Sequence, residues 1–116
     1  MIVSKYTNIF AKIGSNFSET FYVKDLDNNP IDLILYTIEA SFSNSILPQT
    51  SVNASTVSTT TLTSNITNAG QGIVAISATS TQTTAFKYGR YFYQVNLIDS
   101  SLNKYRAFEG ILTVDP

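Results

Sequence analysis

Tyr36-Thr37-Ile38-Glu39-Ala40-Ser41-Phe42-Ser43 sets one large or apolar side chain against one polar side chain over eight consecutive residues. A strand turns successive side chains to opposite faces, whereas a helix returns to the same face only every third or fourth residue. The run therefore reads as a half-buried strand, with Tyr36, Ile38, Ala40 and Phe42 on one face. Working outward, Phe17, Glu19, Phe21 and Val23 alternate with Ser18, Thr20, Tyr22 and Lys24. Tyr91, Tyr93, Val95 and Leu97 alternate in the same way with Phe92, Gln94 and Asn96. The last strand spans Lys104 to Val114, with Phe108, Leu112 and Val114 inward and Glu109, Ile111 and Thr113 outward.

Turn chemistry separates these runs. Asp25-Leu26-Asp27-Asn28-Asn29-Pro30 and Asp99-Ser100-Ser101-Leu102-Asn103 carry the residues that turns favour. Residues 44–50, with Pro48, read as a loop, and 65–72 as a turn region ahead of a short buried strand at Gly72–Ser77. Ser51 to Ser64 is rich in Ser and Thr, with Val52, Val57 and Leu62 spaced through it, and reads as an edge strand. Ser80 is placed to cap one helical turn before Gly89 restarts the sheet. With a first strand around Tyr6–Lys12, the chain carries about seven short strands at the spacing of an all-β, immunoglobulin-like sandwich of antiparallel strands. At 116 residues, 1–116 reads as a single domain.

Composition bounds function. The chain has no His and no Cys, which removes the commonest general base, disulfides and thiolate metal sites. Seven basic residues against eight acidic ones give a net charge of −1, with no whole-chain attraction for nucleic acid or an anionic membrane. No apolar run is long enough to span a membrane as a helix, and the first residues lack the apolar core of a signal peptide. Asp25, Asp27, Asn29 and Asp32 have oxygen ligands at calcium-like spacing, but Pro30 and Tyr36 stand where a calcium loop needs Gly and Glu. An Asx-turn is the simpler reading there. No glycine-rich phosphate loop is present, and the eight carboxylates show no spacing that pairs them across a cleft. The expectation is a non-enzyme without a cofactor or metal, acting through surfaces.

Phe92 is a large apolar group on an otherwise polar strand face, as a protein contact requires. With Tyr88, Arg90, Arg106 and the edge residues Thr59 and Thr61 it forms the expected protein interface. Arg90 and Arg106 are expected near one end of the last hairpin, pairing with Asp99 or with a partner's carboxylates. Tyr88, Phe92 and Asn96 make an alternative sugar-binding set. Tyr91 and Tyr93 are expected in the core, with a tyrosine-corner hydroxyl bond.

The ordered series from Asn16-Phe17-Ser18-Glu19-Thr20-Phe21-Tyr22-Val23-Lys24-Asp25 through Asn29-Pro30-Ile31-Asp32-Leu33 to Tyr36–Phe42 continues with Gly72-Ile73-Val74-Ala75-Ile76-Ser77, Thr81-Gln82-Thr83 and Gly89-Arg90-Tyr91-Phe92-Tyr93-Gln94-Val95. It ends on Arg106-Ala107-Phe108-Glu109-Gly110-Ile111-Leu112-Thr113-Val114. The series resembles small immunoglobulin-like virion structural proteins of tailed bacteriophages, cyanophage-type ones included, and more distantly the amino-terminal domain of phage baseplate upper proteins. Ile34-Leu35 departs from the pattern, where such proteins carry a Gly. The resemblance implies a virion component of tail, baseplate, neck or capsid, made in the host cytoplasm. Its implied partners are other virion proteins, met as a homo-oligomer or in a symmetric multi-copy array, without nucleic acid or membrane. The alternative is a decoration that binds carbohydrate or the host surface.

Overall fold

The computed structural model describes residues 4–43 and 59–116. The loop expected at 44–50, and the part of the Thr-rich strand before Thr59, lie outside the described residues. Within them are eight strands: β1 (Lys5–Tyr6), β2 (Ile9–Lys12), β3 (Phe17–Tyr22), β4 (Thr37–Ser43), β5 (Thr59–Asn68), β6 (Ile73–Ala78), β7 (Gly89–Ile98) and β8 (Lys104–Asp115). One short helix, α1 (Ser80–Thr84), joins β6 to β7. The strands follow one hydrogen-bonded path, β1-β8-β7-β4-β5-β6-β3, with β2 also on β8. The result is a mostly-β domain with a curled mixed sheet, a half-barrel open between β3 and the β1–β2 edge.

The expected all-antiparallel arrangement of about seven strands is corrected here. The amino-terminal run is two short strands that both pair parallel to β8, Lys5 opposite Phe108 and Ile9 opposite Leu112. Over its described length the Thr-rich strand, expected as an edge, changes partner part-way. Its first half pairs with β4 (Leu62 opposite Ala40) and its second half with β6 (Thr63 opposite Ser77). The turn expected at 65–72 starts later, because β5 runs to Asn68 before a 3-10 turn at Ala69–Gln71. The helix cap is Thr79, one residue before the expected Ser80; its hydroxyl accepts the Gln82 N–H, and the Gln82 side chain accepts the Thr79 N–H at 2.8 Å. At Ile34-Leu35 the Tyr36 N–H bonds the Leu33 carbonyl at 3.0 Å, and neither turn residue has the positive φ that would call for Gly.

The alternating residues supply the core. Phe17, Phe21, Ala40, Phe42, Tyr91, Tyr93, Val95, Leu97, Phe108, Leu112 and Val114 are all buried. A bulge opposite Val95 and Asn96 inserts Ala107 as an extra residue in β8, so Ala107 and Phe108 are buried in succession. Phe108 then stacks on Phe21 of β3 with ring centroids 4.5 Å apart, which ties the two sides of the open seam together beneath it.

Two polar groups fix the remaining corners. Buried Thr83 of α1 donates to the Ser15 carbonyl at 2.8 Å and accepts the Gly14 N–H at 3.1 Å, holding the turn between β2 and β3. Tyr93 donates its hydroxyl to the Thr7 carbonyl, between β1 and β2. Gly110 lies below that carbonyl, where a Cβ would meet the Thr7 oxygen at 2.2 Å. Gly110→Ala is therefore expected to cost about 2 kcal/mol or more, read as a lower urea midpoint, because the obstructing atom is backbone.

Burial, and then the charges of Glu19 and its neighbours, push the Tyr93 hydroxyl well above the usual tyrosine range. The raised folded value means its stabilisation is intact below the unfolded value near pH 10 and is lost as pH rises beyond it. Urea titrations between pH 8 and 11 should show this alkaline loss in the parent and a flatter profile in Tyr93→Phe.

Candidate functional site

Strand alternation that buries one face of β2, β8, β7 and β4 presents the other to solvent. Cross-strand register arranges it in rows: Phe10, Thr113 and Arg90 in one, Ile111 and Phe92 in the next. Tyr6, Glu109, Gln94, Ser41 and Thr61 form the third, and Arg106, Asn96 and Glu39 the fourth. The first two rows are apolar apart from Thr113 and the Arg90 head: Phe10 is 66% exposed and Phe92 46%. Arg90 makes no ion pair among the described residues.

The other half of the face is polar and internally matched. Lys104 Nζ lies 2.8 Å from Glu39 Oε1, and Arg106 lies 3.3 Å from Glu109. Asn96, buried beneath them, donates to Glu39 at 3.2 Å. The Lys104 hydrogen bond, aided by Asn96, holds the Glu39 carboxyl below its ordinary value. Both partners are largely solvated, so the pair contributes only about 0.2–1 kcal/mol. Its share is present above the unfolded carboxylate value and is lost as pH falls through the lower folded one. Lys104→Ala should reduce stability by no more than that at pH 7 and by nothing at pH 2, measured by urea unfolding.

Of the residues expected at an interface, Arg90, Phe92, Arg106, Thr59 and Thr61 share this one face, and Tyr88, 68% exposed, lies at its margin before β7. Arg90 and Arg106 are not at one end of the hairpin. Arg90 faces Thr113 and Arg106 faces Asn96, so they stand about 20 Å apart at the usual strand rise. Asp99 pairs with neither; its carboxylate accepts the N–H groups of Ser101 and Asn103, each at 2.9 Å. Phe10, on the same face, was not singled out in the sequence, although the burial of Ile9 and Ala11 on either side follows the same alternation.

The sugar-binding set does not assemble. Asn96 is buried and occupied by Glu39, in a polar hollow lined by Gln94, Lys104, Arg106 and Glu109 but not by Tyr88 or Phe92. The Asp25 loop is an Asx-turn, with Asp25 Oδ1 accepting the N–H groups of Asp27 at 2.9 Å and Asn29 at 3.0 Å. Among the described residues no group of three or more acidic side chains is placed to hold a metal. A separate apolar cleft of about 490 Å³ opens where β5 leaves β4 for β6, lined by Phe42, Leu62, Phe86 and Tyr91 with Lys87 at the rim.

Neither a protein-family model nor a curated protein sequence matches the chain. Among solved structures it is similar to the N-terminal domain of phage TP901-1 ORF48, at 9% identity and a TM-score of 0.51, over 97% of this chain and 98% of that one. It also overlaps the Listeria monocytogenes internalin-like protein lmo2027 at 13% identity and a TM-score of 0.46, spanning 30% of that protein. A family 123 glycoside hydrolase from Clostridium perfringens overlaps at 14% identity and a TM-score of 0.40, over 23% of its length. At such identities the phage likeness speaks to the fold: this is a β-rich module with the chain path of that domain.

Proposed function

We propose that this chain is a non-catalytic structural component of a tailed-phage particle, an immunoglobulin-like module that docks on neighbouring virion proteins through the outer face of β2, β8, β7 and β4. The observation that carries the reading is the end-to-end likeness to the phage TP901-1 ORF48 domain, which covers nearly all of both chains. The immunoglobulin-like assignment is supported by the change of sheet within β5, and by the Tyr91 hydroxyl donating to the Lys87 carbonyl at 2.7 Å, the tyrosine-corner bond at the start of the penultimate strand. The docking role is supported by exposed aromatic side chains around Arg90, which has no ion pair among the described residues, the composition of binding hot spots. A non-catalytic role is consistent with Glu39 and Glu109 being engaged by cations and Asp25 and Asp99 by turn N–H groups.

In a phage that encodes this chain, Arg90→Glu with Phe92→Lys is expected to lower the amount of the protein in purified particles at least tenfold. The urea midpoint of the isolated domain should be unchanged, since both side chains are exposed. Quantitative mass spectrometry of the particles makes the measurement. Absence of the parent protein from the particles contradicts the reading, as does normal incorporation of the double variant.

A further inference from the structure

We infer that β3 is an acceptor edge, to which an extended, acidic segment of a neighbouring protein adds as a further strand in the open seam of the half-barrel. Among the described residues β3 pairs with β6 alone. Which of its backbone groups are left over follows from register. The Val23 N–H bonds the Gly72 carbonyl at 2.7 Å, which fixes a bonded position of the ladder next in line after Tyr22 and Ile73, the Gly72 N–H itself going to the Ala69 carbonyl. Antiparallel ladders alternate, so Phe17, Glu19 and Phe21 also bond toward β6, and the backbone groups of Ser18, Thr20 and Tyr22 point into the seam.

The opposite lip of the seam is less regular. β1 and β2 are short and are interrupted at Thr7 and Asn8, whereas β3 runs six residues without proline or bulge. The seam is pinned at one end by the turn that Thr83 and Asn16 fasten to α1. At the other end it widens into a groove of about 260 Å³ floored by Phe108 and bordered by Tyr22, Lys5 and Lys24. Neither lysine has an ion pair among the described residues. Asp25, also on this groove, gives Oδ1 to its own turn.

Two cations at the mouth of an unpaired edge select an acidic strand, with main-chain bonds giving affinity and side chains giving choice. Glu19 sits on the inward face between Phe17 and Phe21, and an inward charge is one way an edge strand resists indiscriminate pairing. The β3 of a second copy is no acidic strand of this kind, since its one carboxylate, Glu19, points inward. The partner's identity as a virion protein rests on the proposed function; the geometry of the edge does not.

The test uses two synthetic eight-residue peptides, valine alternating with glutamate in one and with lysine in the other, followed by NMR on the intact chain. The acidic peptide should shift the amide signals of Ser18, Thr20 and Tyr22 and slow their hydrogen exchange at least tenfold, with the lysine peptide at least tenfold weaker. Lys5→Glu with Lys24→Glu should invert that preference. Thr20→Pro, which removes an N–H that the register turns away from β6, should abolish the effect while leaving the rest of the spectrum in place. Equal response to both peptides, no response at these three amides, or concentration-dependent protection without peptide, which would mean pairing with a second copy, each overturns the inference. A negative peptide result with normal particle incorporation overturns the edge inference alone; a positive one with the protein missing from particles overturns the assembly reading alone.

Discussion

Everything in this fold follows from one strand having to satisfy two partners. Between Leu62 and Thr63 the backbone of β5 stops bonding to β4 and starts bonding to β6. Because its first half goes to one neighbour and its second half to the other, β5 carries the chain from one part of the curled sheet to the next, and Phe21 of β3 comes round to meet Phe108 of β8. Leu62 sits buried at the point of change. The curl encloses the apolar faces of all the long strands, so a chain with no cysteine still closes a continuous core.

The curl stops short of a barrel, and the gap is bridged by aromatic packing with side-chain hydrogen bonds at its borders. Phe21 and Phe108 stack across it, and Tyr93 holds the Thr7 carbonyl against the small surface that Gly110 leaves. No buried side-chain polar atom among the described residues is left unsatisfied. Among the described residues, groups without such a partner lie at the surface, the outward backbone of β3 and the heads of Arg90, Lys5 and Lys24 among them. A structure so thorough inside puts its unused bonding capacity where other molecules can reach it.

The sequence made the antiparallel strands legible because alternation is a local signal. Residues 36–43, 91–98 and 104–114 could be assigned face by face: their inward sets are buried apart from the half-buried Tyr36 and Ile38, while Asn96 of the outward set and Ala107 at the bulge are buried as well. The parallel pairing of β1 and β2 with β8 was not legible, since it joins residues about a hundred positions apart and leaves no periodic trace. Nor was the partner change of β5: a run of Thr with one solvated face looks the same as an edge strand and as a strand that bends between sheets. The same limits apply to the candidate face. Phe92 stood out as an apolar residue in a polar register. Phe10 joined it only through the parallel pairing, and the separation of Arg90 from Arg106 required the hairpin register.

The proposed docking face and the β3 edge lie on different parts of the curled sheet, so each can be occupied without the other. A cryo-electron microscopy map of a particle carrying this chain bears most directly on the central proposal. The account predicts density for the domain with the outer face of β2, β8, β7 and β4 against a neighbouring protein, Phe10 and Phe92 covered and a carboxylate opposite Arg90. A domain that projects from the particle with that face open to solvent would contradict it.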